Sequence, residues 1–211
     1  MMMMMTTNNI FPTKKYDVIY ADPPWTYRDK MKMDGNKVGV IKQYKTQTKE
    51  WIWSLPVPDI ANDDCCLFLW ATSPMLPLAL ETMGKWGFAY KTVAFCWSKY
   101  TKSGYEATTL GRWTHGNVEM CLLGTRGKPS KWREDKTVRQ LVKAKRTAHS
   151  TKPDAVRERI IQMLGYRSRV ELFARKRVWG WDAWGDDENL CDEVGDGCCE
   201  RRQDGRDSPC Q

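Results

Sequence analysis

The stretch Tyr16-Asp17-Val18-Ile19-Tyr20-Ala21-Asp22-Pro23-Pro24-Trp25 decides how the rest of this chain is read. Its first six residues are mostly apolar, with β-branched and aromatic side chains, which predicts a short buried strand entered from a polar segment. Two consecutive prolines have no N–H for a strand ladder and fix φ, so the chain leaves the strand in one rigid extended turn. That turn displays an acid, two backbone carbonyls and a flat aromatic ring at the carboxyl end of a strand. Open α/β sheets bind ligands at that edge. A proline-containing surface loop is the competing reading of the same four residues, and the remainder of the chain has to choose between them.

Outward from this strand the signals alternate. Thr46 or Thr48 can cap a helix running through Leu55, with Pro56 and Pro58 ending it. Residues 65–70 read as a buried strand. Ser73-Pro74 opens a helix through Trp86 with Met75, Leu76, Ala79, Leu80 and Met83 as its apolar positions, and Gly87 closes it. Residues 92–97 form a strand followed by a loop to Thr114, and residues 118–123 form another, ended by Gly124. Pro153 opens a helix over residues 154–164 with Val156, Ile160, Ile161 and Leu164 on one face, and residues 170–174 are a last strand. Trp179, Trp181 and Trp184 crowd the segment after it and read as a hydrophobic cap or a binding platform. Alternation of this kind predicts an α/β domain with a three-layer sheet. The polar stretch over residues 26–45 is long for a loop of a compact domain, which marks it as functional or mobile.

Composition sets the bounds. A chain of 211 residues suits one domain with a sizeable core. Its longest apolar run, residues 65–71, is too short to span a membrane. The start, five methionines followed by Thr6-Thr7-Asn8-Asn9, lacks a basic n-region and a long apolar region, so a cytoplasmic location is expected (a bacterial or phage-infected host cell). Cys65, Cys66, Cys96 and Cys121 lie in apolar runs and behave as small hydrophobes. Cys191, Cys198, Cys199 and Cys210 lie in a polar tail without C-x-x-C spacing, and with only His115 and His149 in the chain no metal site is expected. Residues 1–15 and 188–211 are expected to be disordered around one domain at 16–187. The net charge is +8, and residues 186–211 carry −6 of their own, leaving +14 on the rest. A body this basic fits a polyanion such as nucleic acid. Residues 126–146 alone hold nine Lys/Arg against two acids, with Trp132 among them.

The Asp-Pro-Pro-Trp turn suits one chemistry in particular. The exocyclic amine of adenine is a poor nucleophile because its lone pair is delocalised into the ring. Acceptors that hold both N–H bonds, here the Asp22 carboxylate and the Pro23 carbonyl, localise that lone pair toward an electrophile. A ring at Trp25 or Tyr27 can stack on a purine extruded from a nucleic acid. With a methyl sulfonium as electrophile, orientation and charge placement supply most of the acceleration.

Five segments in order resemble the adenine methyltransferases of the MT-A70-like family: Tyr20-Ala21-Asp22-Pro23-Pro24-Trp25; Leu67-Phe68-Leu69-Trp70-Ala71; Asn117-Val118-Glu119-Met120-Cys121-Leu122-Leu123; His149-Ser150-Thr151-Lys152-Pro153-Asp154; and Glu171-Leu172-Phe173-Ala174-Arg175 with Gly180-Trp181-Asp182-Ala183-Trp184-Gly185. The last is similar to that of small phage and prophage members that modify DNA. The resemblance implies a Rossmann-like three-layer methyltransferase sheet in permuted order, with the Asp-Pro-Pro-Trp strand early and the cofactor strand late. It also implies S-adenosyl-L-methionine as cofactor and explains why no Gly-x-Gly-x-x-Gly loop occurs.

By the same resemblance Asp22, Pro23, Pro24 and Trp25 form the catalytic turn. Asp22, Lys152, Glu171, Arg175, Asp186 and Asp187 are cofactor-binding positions, the two last standing where relatives place an amide. Glu119 resembles a family acid near the target nucleoside, while Tyr27 and Trp113 are expected there only as aromatic rings able to stack on a base. Each has a plainer alternative: Lys152 as a solvated lysine before a helix, Arg175 as a strand-end arginine, Glu171 as half of a structural ion pair, and Trp113 with His115 as ordinary loop residues. The expected function is N6-methylation of adenine in DNA. RNA as the substrate, and a non-catalytic nucleic-acid-binding partner subunit, are the alternatives; neither a membrane nor an oligomeric partner is implied.

Overall fold

The computed structural model describes residues 10–27, 46–111, 113–146, 151–185 and the backbone of 191–192. In chain order the strands are β1 (Tyr16–Ala21), β2 (Ala61–Ala71), β3 (Ala89–Tyr100), β4 (Val118–Arg126), β5 (Leu141–Lys145), β6 (Arg169–Ala174), β7 (Lys176–Arg177), β8 (Asp182–Gly185) and β9 (Cys191–Asp192). The α-helices are α1 (Lys49–Ser54), α2 (Val57–Ile60), α3 (Leu76–Lys85) and α4 (Asp154–Leu164). Seven strands join in the order β5-β3-β4-β2-β1-β6-β8, and β7 pairs separately with β9.

The pairing fixes where a site can lie. β1 runs parallel to β2 and β6, β6 to β8, and β3 to β5, while β4 alone is antiparallel, between β3 and β2. The carboxyl ends of six strands therefore share one edge, and β4 starts there. Because parallel neighbours need crossovers, helices cover both faces. Side chains of β1 and β2 alternate accordingly. Ile19, Ala21, Leu67 and Leu69 enter one core with Ile52, Val57, Ala79 and Met83 of α1–α3. Val18, Tyr20, Phe68 and Trp70 enter the other with Val156, Ile160 and Leu164 of α4. This is the three-layer α/β architecture expected from the alternation, with β1 early and β6 late beside it.

Local signals account for most element ends. The Thr48 hydroxyl accepts the Trp51 N–H and caps α1, and α4 spans the residues expected, ending at Gly165 with φ 71°. α1 ends before Pro56 as expected, but a second short helix follows, and Pro58 sits in the first turn of this α2, where a missing N–H costs nothing. Gly124 does not end β4 either. It lies inside the strand because a side chain there would press on Met83 Sδ and Phe88 Cβ, each 3.2 Å from an ideal Cβ. The basic segment after Arg126, read only as charge, contains a 3₁₀ turn at Pro129–Trp132 and the edge strand β5. β8 was likewise not foreseen: Trp181 is buried against Tyr20, Trp184 packs on Phe173, and Trp179 is exposed. Of the N-terminal segment expected to be disordered, Phe11 packs edge-on to Trp184 and Lys14 pairs with Asp182 at 3.0 Å. Among the described residues no helix is long and apolar enough to cross a membrane.

β6 carries one irregularity. Phe173 has φ 63°, and the β6–β8 register shifts across Leu172 and Ala174. A non-glycine residue in the left-handed region costs about 1–2 kcal/mol, and such bulges re-aim the side chains that follow. Gly185 fits against this bulge only because it lacks a Cβ, which would stand 2.2 Å from the Ala174 carbonyl oxygen. Gly185→Ala forces backbone apart. The expected loss is roughly 2–3 kcal/mol, read as a fall in Tm of about 5–10 °C in thermal denaturation.

Candidate active site

Asp22 stands one residue past β1, with its N–H directed at the Leu172 carbonyl of β6. The Pro-Pro turn is closed locally: Trp25 N–H donates to the Pro23 carbonyl at 2.8 Å, a three-residue turn, and Gln47 N–H donates to the Pro24 carbonyl at 2.9 Å. Each carbonyl keeps a second lone pair. Trp25 is 5% exposed, and its Nε1–H donates to the Trp70 carbonyl at 3.0 Å. The ring is therefore an anchor beneath the turn, holding the ends of β1 and β2 together, rather than an open stacking face. Tyr27 is the aromatic left partly exposed, and its hydroxyl is tied to that of Thr72 at 2.8 Å.

Lys152, just ahead of α4, reaches back across the edge. Its Nζ lies 2.5 Å from Asp22 Oδ2 and 3.3 Å from Glu119 Oε2, and 5.4 Å from the Trp70 ring centre. Glu119, near the start of β4, is bound through its other oxygen by Lys99 of β3. β3–β4 pairing places Trp97 opposite Glu119; Lys99 lies two residues further along the same strand, hence on the same face. The result is a chain of alternating charge, Asp22–Lys152–Glu119–Lys99. The Lys152 side chain is only 6% exposed, and an ammonium so buried must be paired to stay charged. The solvated-lysine reading of Lys152 is corrected on this ground.

The chain's electrostatics are uneven. Burial pushes the Asp22 carboxyl up; Lys152 pulls it down but does not compensate, and Glu119 adds to the rise. Burial acts the same way on Glu119, but Lys152 and Lys99 together outweigh it and hold that carboxyl below its ordinary range. Burial alone would lower Lys152, and the two carboxylates raise it instead. Glu119 therefore stays ionised, and its contribution to stability is present above its ordinary pKa and lost as pH falls through the depressed one. Lys99→Met removes one of the two cations responsible. Acid unfolding is expected to set in at a higher pH, and Lys99→Arg to restore it; an acid-unfolding midpoint unmoved by Lys99→Met would separate Lys99 from the chain.

Glu171 of β6 has both carboxylate oxygens taken by Arg157 of α4, at 2.7 Å each, and Arg157 also donates to Asp154 at 2.6 Å. Of the two readings of Glu171 open in the sequence, this supplies the ion pair. The Arg157 guanidinium lies 5.4 Å from the Tyr20 ring centre, so the pair braces α4 against the strand that carries Asp22. Arg175, immediately after β6, is close enough to draw the Asp22 carboxyl down. Trp113 is on the loop between β3 and β4, with its side chain out in solvent. Asp186, Asp187 and His149 lie outside the described residues.

Lys99 and Arg157 belong to the assembly and were missed in the sequence. Arg157 had a signal: it stands three and seven residues before Ile160 and Leu164, on the apolar stripe of α4, where a charge demands a buried partner. Lys99 had only its place in an apolar strand two residues after Trp97.

Comparison with known proteins agrees with this geometry. A family model, MT-A70, matches residues 16–187. The Type II methyltransferase M.MunI of Mycoplasma sp is 38% identical over 188 residues, covering 82% of this chain and 78% of that protein. The N(6)-adenosine-methyltransferase catalytic subunit METTL3 of Homo sapiens is 28% identical over 163 residues, and the N6-methyladenosine RNA methyltransferase MTA1 of Pyricularia oryzae is 30% identical over 186. These matches cover 76% and 82% of this chain but only 26% and 46% of those proteins. The matched span runs from the first residue of β1 past the end of β8 and takes in the whole charge chain, and on that evidence the chain belongs to the MT-A70 methyltransferase family.

Proposed function

We propose that the protein is a DNA (adenine-N6) methyltransferase that accepts an adenine turned out of its strand at the Pro-Pro turn and methylates its exocyclic amine. The observation that carries this is the Asp22 carboxylate. Lys152 holds Oδ2, while Oδ1 has no hydrogen-bond partner among the described residues. Asp22 is thus fixed in direction, with an acceptor to offer at the ligand-binding edge of the sheet.

MT-A70 methyltransferases depend on S-adenosylmethionine, and the residues here fit it. A carboxylate at the strand edge favours a sulfonium, and Lys152 and Arg175 are cations suited to a methionine carboxylate. Bound there, the cofactor supplies an electrophilic methyl group. The protein's own part is orientation. Asp22 Oδ1 and the spare lone pair of a proline carbonyl accept the two amine N–H bonds and turn the nitrogen lone pair outward. Tyr27, fixed through Thr72, supports the base, and Lys152 keeps Asp22 from rotating. The amine, once methylated, has a proton to lose, and Asp22 Oδ1 is the acceptor beside it; a carboxyl raised by burial takes that proton more readily than an ordinary one.

DNA is favoured over RNA because the match to M.MunI is the longest and most identical of the three and covers most of both chains. The match to MTA1 supports the RNA reading. A competition assay with equal amounts of DNA and RNA and methyl-labelled cofactor separates them. Label is expected in DNA; label in RNA alone would overturn the DNA reading, and failure to bind the cofactor in calorimetry would favour a non-catalytic partner.

A further inference from the structure

The loop between β3 and β4 is a built hairpin rather than a slack connection. Thr109 and Gly116 exchange both backbone hydrogen bonds, at 2.8 and 2.9 Å, and the Thr109 hydroxyl donates to the Gly116 carbonyl as well. Below them Ala107 N–H donates to Lys99 O at 2.8 Å, and Lys99 N–H to Asn117 O at 3.0 Å. Beyond this ladder, of the described residues of the tip, Leu110 is 58% and Trp113 97% exposed. Among the described residues nothing covers the Trp113 indole, which stands in water.

Two further observations indicate what meets it. The tip rises from the edge that carries Asp22: only six residues separate Trp113 from Glu119, a reach of at most about 20 Å in extended chain. Beside its base, β5 lies in register with β3, Ser98 opposite Lys143 and Tyr100 opposite Lys145. Lys143, Lys145 and Arg146 are all exposed there, a cationic strip next to an aromatic point. Cations that track phosphates, with an apolar side chain able to enter a base stack, are what a bent or opened duplex requires.

We propose that the hairpin tip is a wedge for double-stranded DNA: Trp113 enters the stack at the target adenine and occupies the space the extruded base leaves, while Lys143, Lys145 and Arg146 hold the flanking phosphates. This rests on the methyltransferase reading above and adds to it that the substrate is a duplex. An adenine already unstacked has no need of the wedge, and the test turns on that difference. Two oligonucleotides of one sequence, chosen as a site the wild-type enzyme methylates, are compared as duplex and as single strand. A third has the target adenine opposite an abasic position.

Trp113→Ala is expected to lose roughly tenfold to a hundredfold in kcat/KM on the intact duplex, the scale of one stacked base. On the single strand and the abasic duplex it is expected to stay within about twofold of wild type, with Trp113→Phe intermediate on the intact duplex. Equal losses on all three substrates, or no loss on the duplex, overturn the wedge and leave the methyltransferase reading standing. A shift from dimer to monomer in light scattering on Trp113→Ala, with no change on duplex DNA, makes the tip a contact between copies of this chain and also overturns it. If the wild-type enzyme methylates no site in plasmid DNA or in its separated strands, so that no such sequence exists, both readings are overturned.

Discussion

Asp22→Ala is expected to cut methyl transfer by about a thousandfold, the upper end of what removing one oriented charge-stabilising group costs an enzyme. Asp22 is the one side chain that acts on the amine in every part of the proposed chemistry: it orients the nitrogen, favours the sulfonium and accepts the released proton. Its loss leaves Lys152 still paired with Glu119 at 3.3 Å, so the fold is not stripped of its only counter-ion. Circular dichroism and the melting curve are expected to stay near wild type while activity is lost. Asp22→Asn separates the roles further. Its amide oxygen can still accept one N–H, but it neither balances Lys152 nor takes a proton, and a loss of roughly a hundredfold is expected. Because the Asp22 carboxyl is raised, wild-type activity should fall on the acid side at a pH above the usual aspartate range. Below it the protonated group has no charge to offer.

Arg157→Met is expected to be the most damaging single change to stability. It leaves the Glu171 carboxylate in a buried strand without either of its two bonds, and breaking a buried pair by removing one partner costs about 3–5 kcal/mol. For a domain of this size that is a fall in Tm of roughly 10 °C or more. The double change Arg157→Met with Glu171→Leu removes both charges and is expected to recover most of the loss, because well-packed apolar replacements of buried pairs are commonly neutral. Urea denaturation of the wild type, single and double variants measures this directly. If the single variant unfolds at the wild-type midpoint, the pair does not brace α4 against β6. Cofactor binding by the double variant is a separate reading: Glu171 acting on the cofactor would leave a folded protein with weakened affinity.

How far the sequence can be read depends on whether local and tertiary signals agree. β1 and α4 were legible to the residue because a buried strand between polar flank and proline, and an apolar stripe ended by Gly165, have no competing pattern. β5 was not. Its Lys143 and Lys145 alternate with Val142 and Ala144 as an edge strand should, but among the nine cations of residues 126–146 charge hides the period. The last residues of β4 were hidden for another reason: Gly124 reads as a stop, and only the approach of Met83 and Phe88 shows why a strand passes through it. The site follows the same rule. Asp22, Lys152 and Glu119 were singled out through motifs, though their mutual pairing is a tertiary fact that no spacing carries. Lys99 and Arg157 sit in otherwise ordinary segments and gain meaning only from the carboxylate opposite. Trp25 shows the reverse case, a motif residue whose ring is turned into the core to hold the turn rather than to meet a ligand.

The central claim is that a methyl group is placed on the exocyclic amine of adenine in DNA by way of Asp22. Incubating the purified protein with S-adenosylmethionine and unmethylated plasmid, digesting to nucleosides and separating them by mass spectrometry tests it most directly. Wild-type protein is expected to yield N6-methyl-2′-deoxyadenosine and Asp22→Ala none above background. Methylation found on cytosine, or undiminished adenine methylation by Asp22→Ala, would contradict it.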